Sequence, residues 1–421
     1  MDKVDAVIVG AGLAGLNCAR ELVRHGRSVR VLEAADAIGG RINTEAYQGY
    51  RLDRGFQVLQ TAYPEARRAL DLDALDLRAF VPGALIRHAG RFHRIADPWR
   101  QPSAALGTLF SPVGTFADKW RMALLRRRVL AVSVDQLYAR AETTTGEYLR
   151  QSGFSDAMIE RFFRPFLGGV FLDPSLSMSS RAFEFCFRIF AAGDSALPAA
   201  GMGAIPAQLA AGLPPDVVRT SAPVRSLGEG GVTLESGERI LAAAVVVATD
   251  GAAAARLLGE GTVPATRGTT CLYFAADEAP ATEPILMLGT TAQGPVNSVV
   301  VPTLLSADYA AAGDSLIAVS VLGIPAAGDA ALEAAVRSQL REWFGSAVNG
   351  WRHLKTFRIA AALPPQTPPV ANPELFNPRR TPWLYVCGEY GNAPTINWAL
   401  HSGRRAAEAI LAENQCQSIN T

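Results

Sequence analysis

Apolar and polar positions along the chain fall into two textures, short runs of strand length and longer stretches with helical spacing. Val4 to Val9 is a Val/Ile-rich run that reads as a buried strand. A helical pattern then runs to Gly26, and a second apolar strand ends on Glu33. Tyr50 to Val58 predicts a strand, a glycine kink and another strand, and Ala84 to Ile95 predicts a hairpin. From Pro98 to Phe190 the pattern is mainly helical. Small residues from Ala199 to Pro206 lead into a short helix, and strands return at Val217 to Thr220 and Val224 to Leu227. Gly230-Gly231 and Ser236-Gly237 punctuate a meander that ends in the buried run Ala243 to Thr249, before a helix over Gly251 to Leu258. Residues 265–370 are β-rich, with strands at Thr269 to Ala275, Ser298 to Val301 and Ser315 to Leu322 and a helix over Ala330 to Phe344. The Pro-rich stretch Leu363 to Pro373 reads as irregular. A last buried strand over Trp383 to Val386 delivers Gly388 and Glu389 into a turn, and a helix begins near Thr395.

The chemistry starts where the first strand meets the first helix. Gly10, Gly12 and Gly15 have G-x-G-x-x-G spacing. Such glycines permit a tight turn and let backbone approach a pyrophosphate, which sits on the positive end of the helix. Leu13 and Ala14 fill the first turn. Glu33, 18 residues beyond the last glycine, would accept from the ribose hydroxyls of an adenine dinucleotide, with Ala34 beside it. Gly39-Gly40-Arg41 extends the cradle, because adjacent glycines admit close backbone approach and Arg41 can bridge phosphates. A plain glycine turn with a solvated arginine is the alternative, and the preceding motif decides against it. At the far end of the chain, the helix starting near Thr395 would aim a second set of free backbone N–H groups at the same ligand.

At 421 residues the chain suggests two domains, and the return of strand–helix texture near residue 243 makes the nucleotide domain discontinuous. Hydrophobic content of 49% and charged content of 19% describe an ordered globular protein. A net charge of +1 gives no reason to expect nucleic acid. Cys18, Cys186, Cys271, Cys387 and Cys416 lie far apart without C-x-x-C, which argues against a disulfide framework or a metal site and fits a reducing compartment. Cys387 is expected to be an inert buried thiol. The first strand begins within a few residues, leaving no room for a signal peptide, and no window approaches the ~18 apolar residues that span a bilayer. The expectation is a soluble, cytoplasmic protein that at most rests on a membrane.

The helical middle is rich in aromatics, among them Trp99, Phe110, Phe116, Trp120, Phe162, Phe163, Phe166, Phe183 and Phe190. Such a block can line an apolar substrate cavity, while any single ring is better read as core. Within it, Phe116 to Val132 carries Lys119, Arg121 and Arg126 to Arg128 among apolar residues. That mixture suggests an amphipathic membrane-resting helix, but three successive arginines fan around a helix and favour a solvated surface.

With these motifs in place, the sequence resembles the flavin-dependent superfamily of phytoene-type desaturases, protoporphyrinogen oxidases and amine oxidases. The shared features are the N-terminal G-x-G-x-x-G with Glu33, Gly39-Gly40-Arg41, Asp53-x-Gly55, the middle return strand, and Gly388-Glu389 followed by a helix. The resemblance implies an α/β fold, with a discontinuous Rossmann-like FAD-binding domain of the GR2 type (residues 1–80, 200–262 and 380–421) and an interleaved α+β substrate domain (81–199 and 263–379). It implies noncovalent FAD, with adenosine near Glu33 and Val224 and pyrophosphate near Gly12 to Gly15, Arg41 and Glu389. The isoalloxazine would lie near Gly55, Phe56, Gln57 and Val58 and near Thr395, Ile396, Asn397 and Ala399.

The amine oxidases resembled usually carry a lysine in a substrate-domain strand. The matching stretch here, Gly268 to Leu272, has none, and the chain holds only Lys3, Lys119 and Lys355. Trp398 stands where desaturase-like relatives usually have glycine, which predicts narrowed flavin surroundings. The first functional reading is therefore an enzyme that dehydrogenates or desaturates an apolar small molecule, isoprenoid or tetrapyrrole-like, by hydride transfer to flavin N5, with oxygen or a quinone as acceptor. A flavin amine oxidase, with Tyr390 and Trp398 as walls of an amine cage, is the second reading. A non-catalytic escort-type binding protein is the third, and the intact Arg41 and Glu389 motifs argue against it. An NAD-only dehydrogenase would leave the C-terminal motif unexplained. His25, His88, His93, His353 and His401 are scattered and read as structural or exposed.

Overall fold

In the computed structural model, which describes residues 3–289, 294–310, 313–389 and 393–419, the opening run forms strand β1 (Val4–Val9), followed by helix α1 (Leu13–Arg24) and strand β2 (Val29–Leu32). β1 lies between two parallel neighbours, β2 on one side and Arg239–Val247 on the other. Val218–Arg219 adds to the outer edge of β2, and Leu384–Val386 to the far side of Arg239–Val247, both parallel. Burial on both faces explains why these strands are unbroken Val/Ile/Ala runs rather than alternating ones. The meander Val224–Gly228 and Gly231–Leu234 extends the sheet through antiparallel pairing.

A second seven-stranded sheet is almost wholly antiparallel and comes from other parts of the chain. Its hairpin Gly83–His88 and Arg91–Ala96 follows the predicted turn. Toward its other edge, Arg267–Ala276 pairs with Ser315–Leu322 on one side and with the edge strand Arg352–Leu363 on the other. Here alternation is clean. Leu272 and Phe274 face the long helix Asp329–Phe344, whereas Cys271, Tyr273 and Ala275 join a core shared with β1, α1 and the first sheet. That shared core makes the molecule a mixed α/β fold in which two sheets meet.

The predicted helical middle is present as a series of helices from Ala105–Leu109 to Ser180–Ala192, with one π-helical turn at Ile159–Phe163. One sequence expectation changes. After Tyr50–Asp53 the chain does not resume a strand through Val58; it bends at Gly55 and pairs only at Leu59–Gln60. As expected for single rings, Phe154, Phe163, Phe183 and Phe185 are buried core side chains. Cys416 falls among residues whose side chains are not described.

Candidate functional site

Three glycine-bearing segments converge at the C-terminal end of β1. Gly10 has φ +109°, and a Cβ there would meet the Ala248 carbonyl oxygen at 2.8 Å. A Cβ on Gly15 would lie 2.0 Å from the Gly10 carbonyl oxygen, so α1 packs onto its own strand only without a side chain. Gly12 is the N-cap of α1, has no side-chain cap, and has nothing within 4 Å of where a Cβ would stand. The positive end of a 12-residue helix therefore opens onto free space. Leu13 and Ala14 are buried, so only their backbone faces that space.

The second segment lies directly against the first. Gly39 donates to the Ala11 carbonyl at 2.9 Å and bridges Gly12. Gly40 places its missing Cβ 3.7 Å from the Gly12 Cα. Glu33 is held by two backbone donors, Ala11 N–H at 2.8 Å and Ala35 N–H at 2.9 Å. Each carboxylate oxygen keeps a further lone-pair direction for a hydroxyl. Ala34 is exposed beside it. Val224 is buried in the cluster of Val7, Val9 and Leu32.

The third segment arrives from the C-terminus. Gly388 (φ +85°) donates to Ser402 Oγ at 2.9 Å, and its Cβ position lies 3.5 Å from Ala14 Cβ. A Cβ on Gly403 would lie 2.2 Å from the Ala14 carbonyl oxygen, so Ile396–Ile419 and α1 approach backbone to backbone. Asn17 Nδ2 seals the pair by donating to the Leu400 carbonyl at 2.7 Å. Arg41 and Glu389 form an ion pair, and Arg41 also donates to the Ala362 carbonyl at 3.0 Å. Burial pulls the Arg41 guanidinium pKa below its ordinary value, partly offset by Asp250.

A fourth element centres on Asp53. Asp53 is 5% exposed. Its carboxylate accepts from Thr44 Oγ1 at 2.5 Å, Met202 N–H at 2.9 Å and Tyr309 OH at 2.8 Å, while Tyr273 OH donates to its carbonyl at 2.8 Å. Burial raises its pKa, and these donors work against that. The clamp ties the hairpin of Thr44–Tyr47 and Tyr50–Asp53, the small-residue run near 201–203 and the second sheet to one point, just before the chain bends through Gly55. A Cβ on Gly55 would meet Ile359 Cδ1 at 2.8 Å. Phe56, Gln57 and Val58 are half-buried, and Gln57 Nε2 donates to the Arg41 carbonyl at 3.0 Å.

At the start of the last helix, Thr395 Oγ1 accepts from Trp398 N–H at 3.1 Å. Ile396 and Ala399 are half-buried. Asn397 is 2% exposed, and its Oδ1 accepts from Glu65 N–H at 3.0 Å, so its side chain faces protein. Trp398 corrects an expectation. It is 2% exposed and packs with Tyr138, Phe185 and Ile189, so its ring neither borders open space nor serves as a cage wall. Tyr390 lies outside the described residues. Lys355 pairs with Glu45 at 2.5 Å and sits over the Phe357 ring at 5.0 Å.

His401 is not isolated. Its Nδ1 lies 3.4 Å from Glu65, which takes both arms of Arg404 at 2.6 and 3.0 Å. Burial would raise the Glu65 carboxyl, but His401 and Arg404 outweigh it and hold it at about 2. The two arms of this cluster lie 339 residues apart, so no sequence signal could have paired them. Burial pushes the Cys271 and Cys387 thiols up to about 12, which leaves them inert at neutral pH. Among the described residues no group of side chains is arranged to hold a metal ion.

Backbone donors at an open helix end, glycines that admit close approach, and a half-free carboxylate fit an adenine dinucleotide, and the class they define is a dinucleotide-binding protein. Over residues 13–411 the sequence matches the flavin-containing amine oxidoreductases, and the chain belongs to that family. It is an enzyme with FAD as its cofactor. Putrescine oxidase of Kocuria rosea is 45% identical over 67 residues, 16% of this chain and 14% of that protein. Protoporphyrinogen oxidase 2 of Arabidopsis thaliana is 29% identical over 173 residues, 41% of this chain and 34% of that protein. These matches span about a third or less of the relatives' lengths. An oxidoreductase from Methanosarcina mazei superposes with a TM-score of 0.73 at 18% identity, covering 97% of this chain and 100% of that one. Cyclohexylamine oxidase from Brevibacterium oxydans gives 0.73 at 18% identity, covering 98% and 100%. At such identities the likeness establishes the fold. Among the described residues no helix is long and apolar enough to cross a membrane.

Proposed function

We propose that the chain dehydrogenates or desaturates a neutral, apolar small molecule against a noncovalent FAD held in a discontinuous Rossmann-like domain. The division into residues 1–80, 200–262 and 380–421 against 81–199 and 263–379 is supported by the two seven-stranded sheets, each of which draws its strands from one set of segments, whereas the small sheet of Leu59–Gln60, Leu77–Ala79 and Ser195–Pro198 joins the two sets. In this reading the open N-terminus of α1 and Gly12 to Gly15 take the pyrophosphate. Glu33 would take ribose hydroxyls, with Val224 near the adenosine. Arg41 and Glu389 steady each other at the pyrophosphate's flank, and Gly55 to Val58 with Thr395 to Ala399 border the ring system. Bound FAD supplies a two-electron acceptor at N5. The protein's own contribution is to orient the substrate and keep water out.

The observation that carries the apolar substrate is a row of half-buried rings, distinct from the buried ones. Phe162 stacks on Phe166 at 5.4 Å, and Phe166 meets Phe190 at 5.2 Å. Phe162 and Phe166 lie against Ile86 and Leu288 of the second sheet. A row with partly open faces offers dispersion contacts without charge. The test is anaerobic titration of the purified flavoprotein with candidate metabolites. Isoprenoid or tetrapyrrole-like compounds should bleach the flavin. Robust peroxide release from any simple amine would instead support the amine oxidase reading, in line with the names of two relatives above.

A further inference from the structure

Exposed large apolar side chains are concentrated in one segment. Trp99, Leu109, Phe110, Phe116, Trp120, Leu124 and Leu130 are all exposed, against only Val263, Ile324 and Leu375 elsewhere among the described residues. Phe110 is 72%, Trp120 67% and Phe116 60% exposed, values that a packed core does not leave. The helix Phe116–Leu130 explains the arrangement. At 100° per residue, Phe116, Trp120, Leu124, Arg127 and Leu130 fall within an arc of about 120°. Phe110 extends that stripe beyond the helix start, its ring edge-on to Phe116 at 6.0 Å. Trp99 flanks the other margin, under the Arg126 guanidinium at 5.0 Å. The opposite side of the helix, at Leu125 and Val129, is buried in the helical core.

Charge around this face has one sign. Arg100 and Arg128 are partnered by Asp194 and Glu184. Arg121 lies 3.9 Å from Asp118, the single acid of the segment, which is fully buried and engaged in the helix cap; among the described residues that leaves Lys119, Arg126 and Arg127 without a carboxylate partner. The Lys119 ammonium donates to the carbonyls of Ser111 and Gly114 at 2.8 and 2.6 Å rather than to a carboxylate. The successive arginines do fan around the helix, yet only Arg127 falls on the apolar stripe; Arg126 turns to Trp99 and Arg128 to Glu184. Exposed Trp and Phe beside unneutralised cations complement an interface of acyl chains and negative headgroups.

We propose that the Trp99–Leu130 face rests on the surface of an anionic lipid bilayer, with Phe110, Phe116 and Trp120 inserted at headgroup depth. The 15-residue helix lies in the interface plane, too short to span it. The test is co-sedimentation of the FAD-loaded full chain with vesicles of phosphatidylcholine alone or mixed with phosphatidylglycerol. Binding is expected on the mixed vesicles, falling as salt rises. The double variant Phe110→Ser/Trp120→Ser should weaken it about ten-fold or more, and Arg127→Glu should weaken it less. The control pair Val263→Ser/Leu375→Ser should leave it unchanged, and an unaltered flavin spectrum would report that each variant is folded. No binding to mixed vesicles overturns the proposal, as does binding that the double variant leaves intact. Equal binding to both vesicle types overturns the anionic surface. Concentration-dependent dimerisation in ultracentrifugation, abolished by the same double variant, assigns the face to a second copy of the chain instead.

Discussion

The glycine cradle and the helical block solve opposite problems. In the cradle, backbone is the binding surface. Side chains are removed at Gly10, Gly15, Gly39 and Gly403 because a Cβ would collide with a neighbouring backbone oxygen at 2.0 to 2.8 Å. In the helical block the side chains are the structure. Phe154, Phe163 and Phe183 meet edge to face at 4.9 to 6.1 Å, and little backbone is left for a ligand. A cradle of this kind tolerates almost no substitution but can be recognised from spacing alone. A packed block tolerates exchange among rings of similar size, and its spacing says nothing about which rings face a ligand. On the proposed function, cofactor identity would reside in the first region and substrate choice in the second.

The harshest way to break the contrast is Gly15→Val. With its Cβ 2.0 Å from the Gly10 carbonyl oxygen, the variant should lose about 3 kcal/mol or more and purify without flavin. Thermal unfolding and visible absorbance decide it, and a yellow, stable variant would show that the cradle is more compliant than its packing implies. Next is Glu65→Gln, which probes the clamp joining the last helix to residues 64–69. The Glu65 carboxyl is held at about 2 against an ordinary 4.5. Its contribution is complete above pH 4.5 and is lost as the pH falls through about 2. The variant should cost ~2–3 kcal/mol at pH 7 and flatten the acid limb of stability, as read by urea unfolding at a series of pH values.

Phe166→Leu acts on the block without disturbing the cradle. Flavin content should be unchanged while KM for an apolar substrate rises about five-fold; a fall in flavin loading with KM unchanged would reverse the division of labour. The smallest effect belongs to Lys355→Met. Its half-exposed ion pair with Glu45 is worth under ~1 kcal/mol, and steady-state turnover should not change. A large drop in kcat would mean that this lysine serves the reaction after all, as in the amine oxidases resembled.

The chain's own pattern was enough to determine β1, α1 and β2, the helix Gly251–Leu258, the strand Ser315–Leu322, and the glycines that converge at the end of β1. Those are local consequences of periodicity and of φ angles open to glycine, and they do not depend on distant neighbours. Only the tertiary structure decided what long-range contacts control. It made Asp53 a buried clamp of four segments, paired Glu65 with Arg404 across 339 residues, and turned Trp398 from an expected flavin neighbour into core. It also distinguished buried from half-buried rings, and revealed that a helix carrying three successive arginines still presents an apolar stripe. Burial is a property of what covers a residue, and a covering element can come from anywhere in the chain.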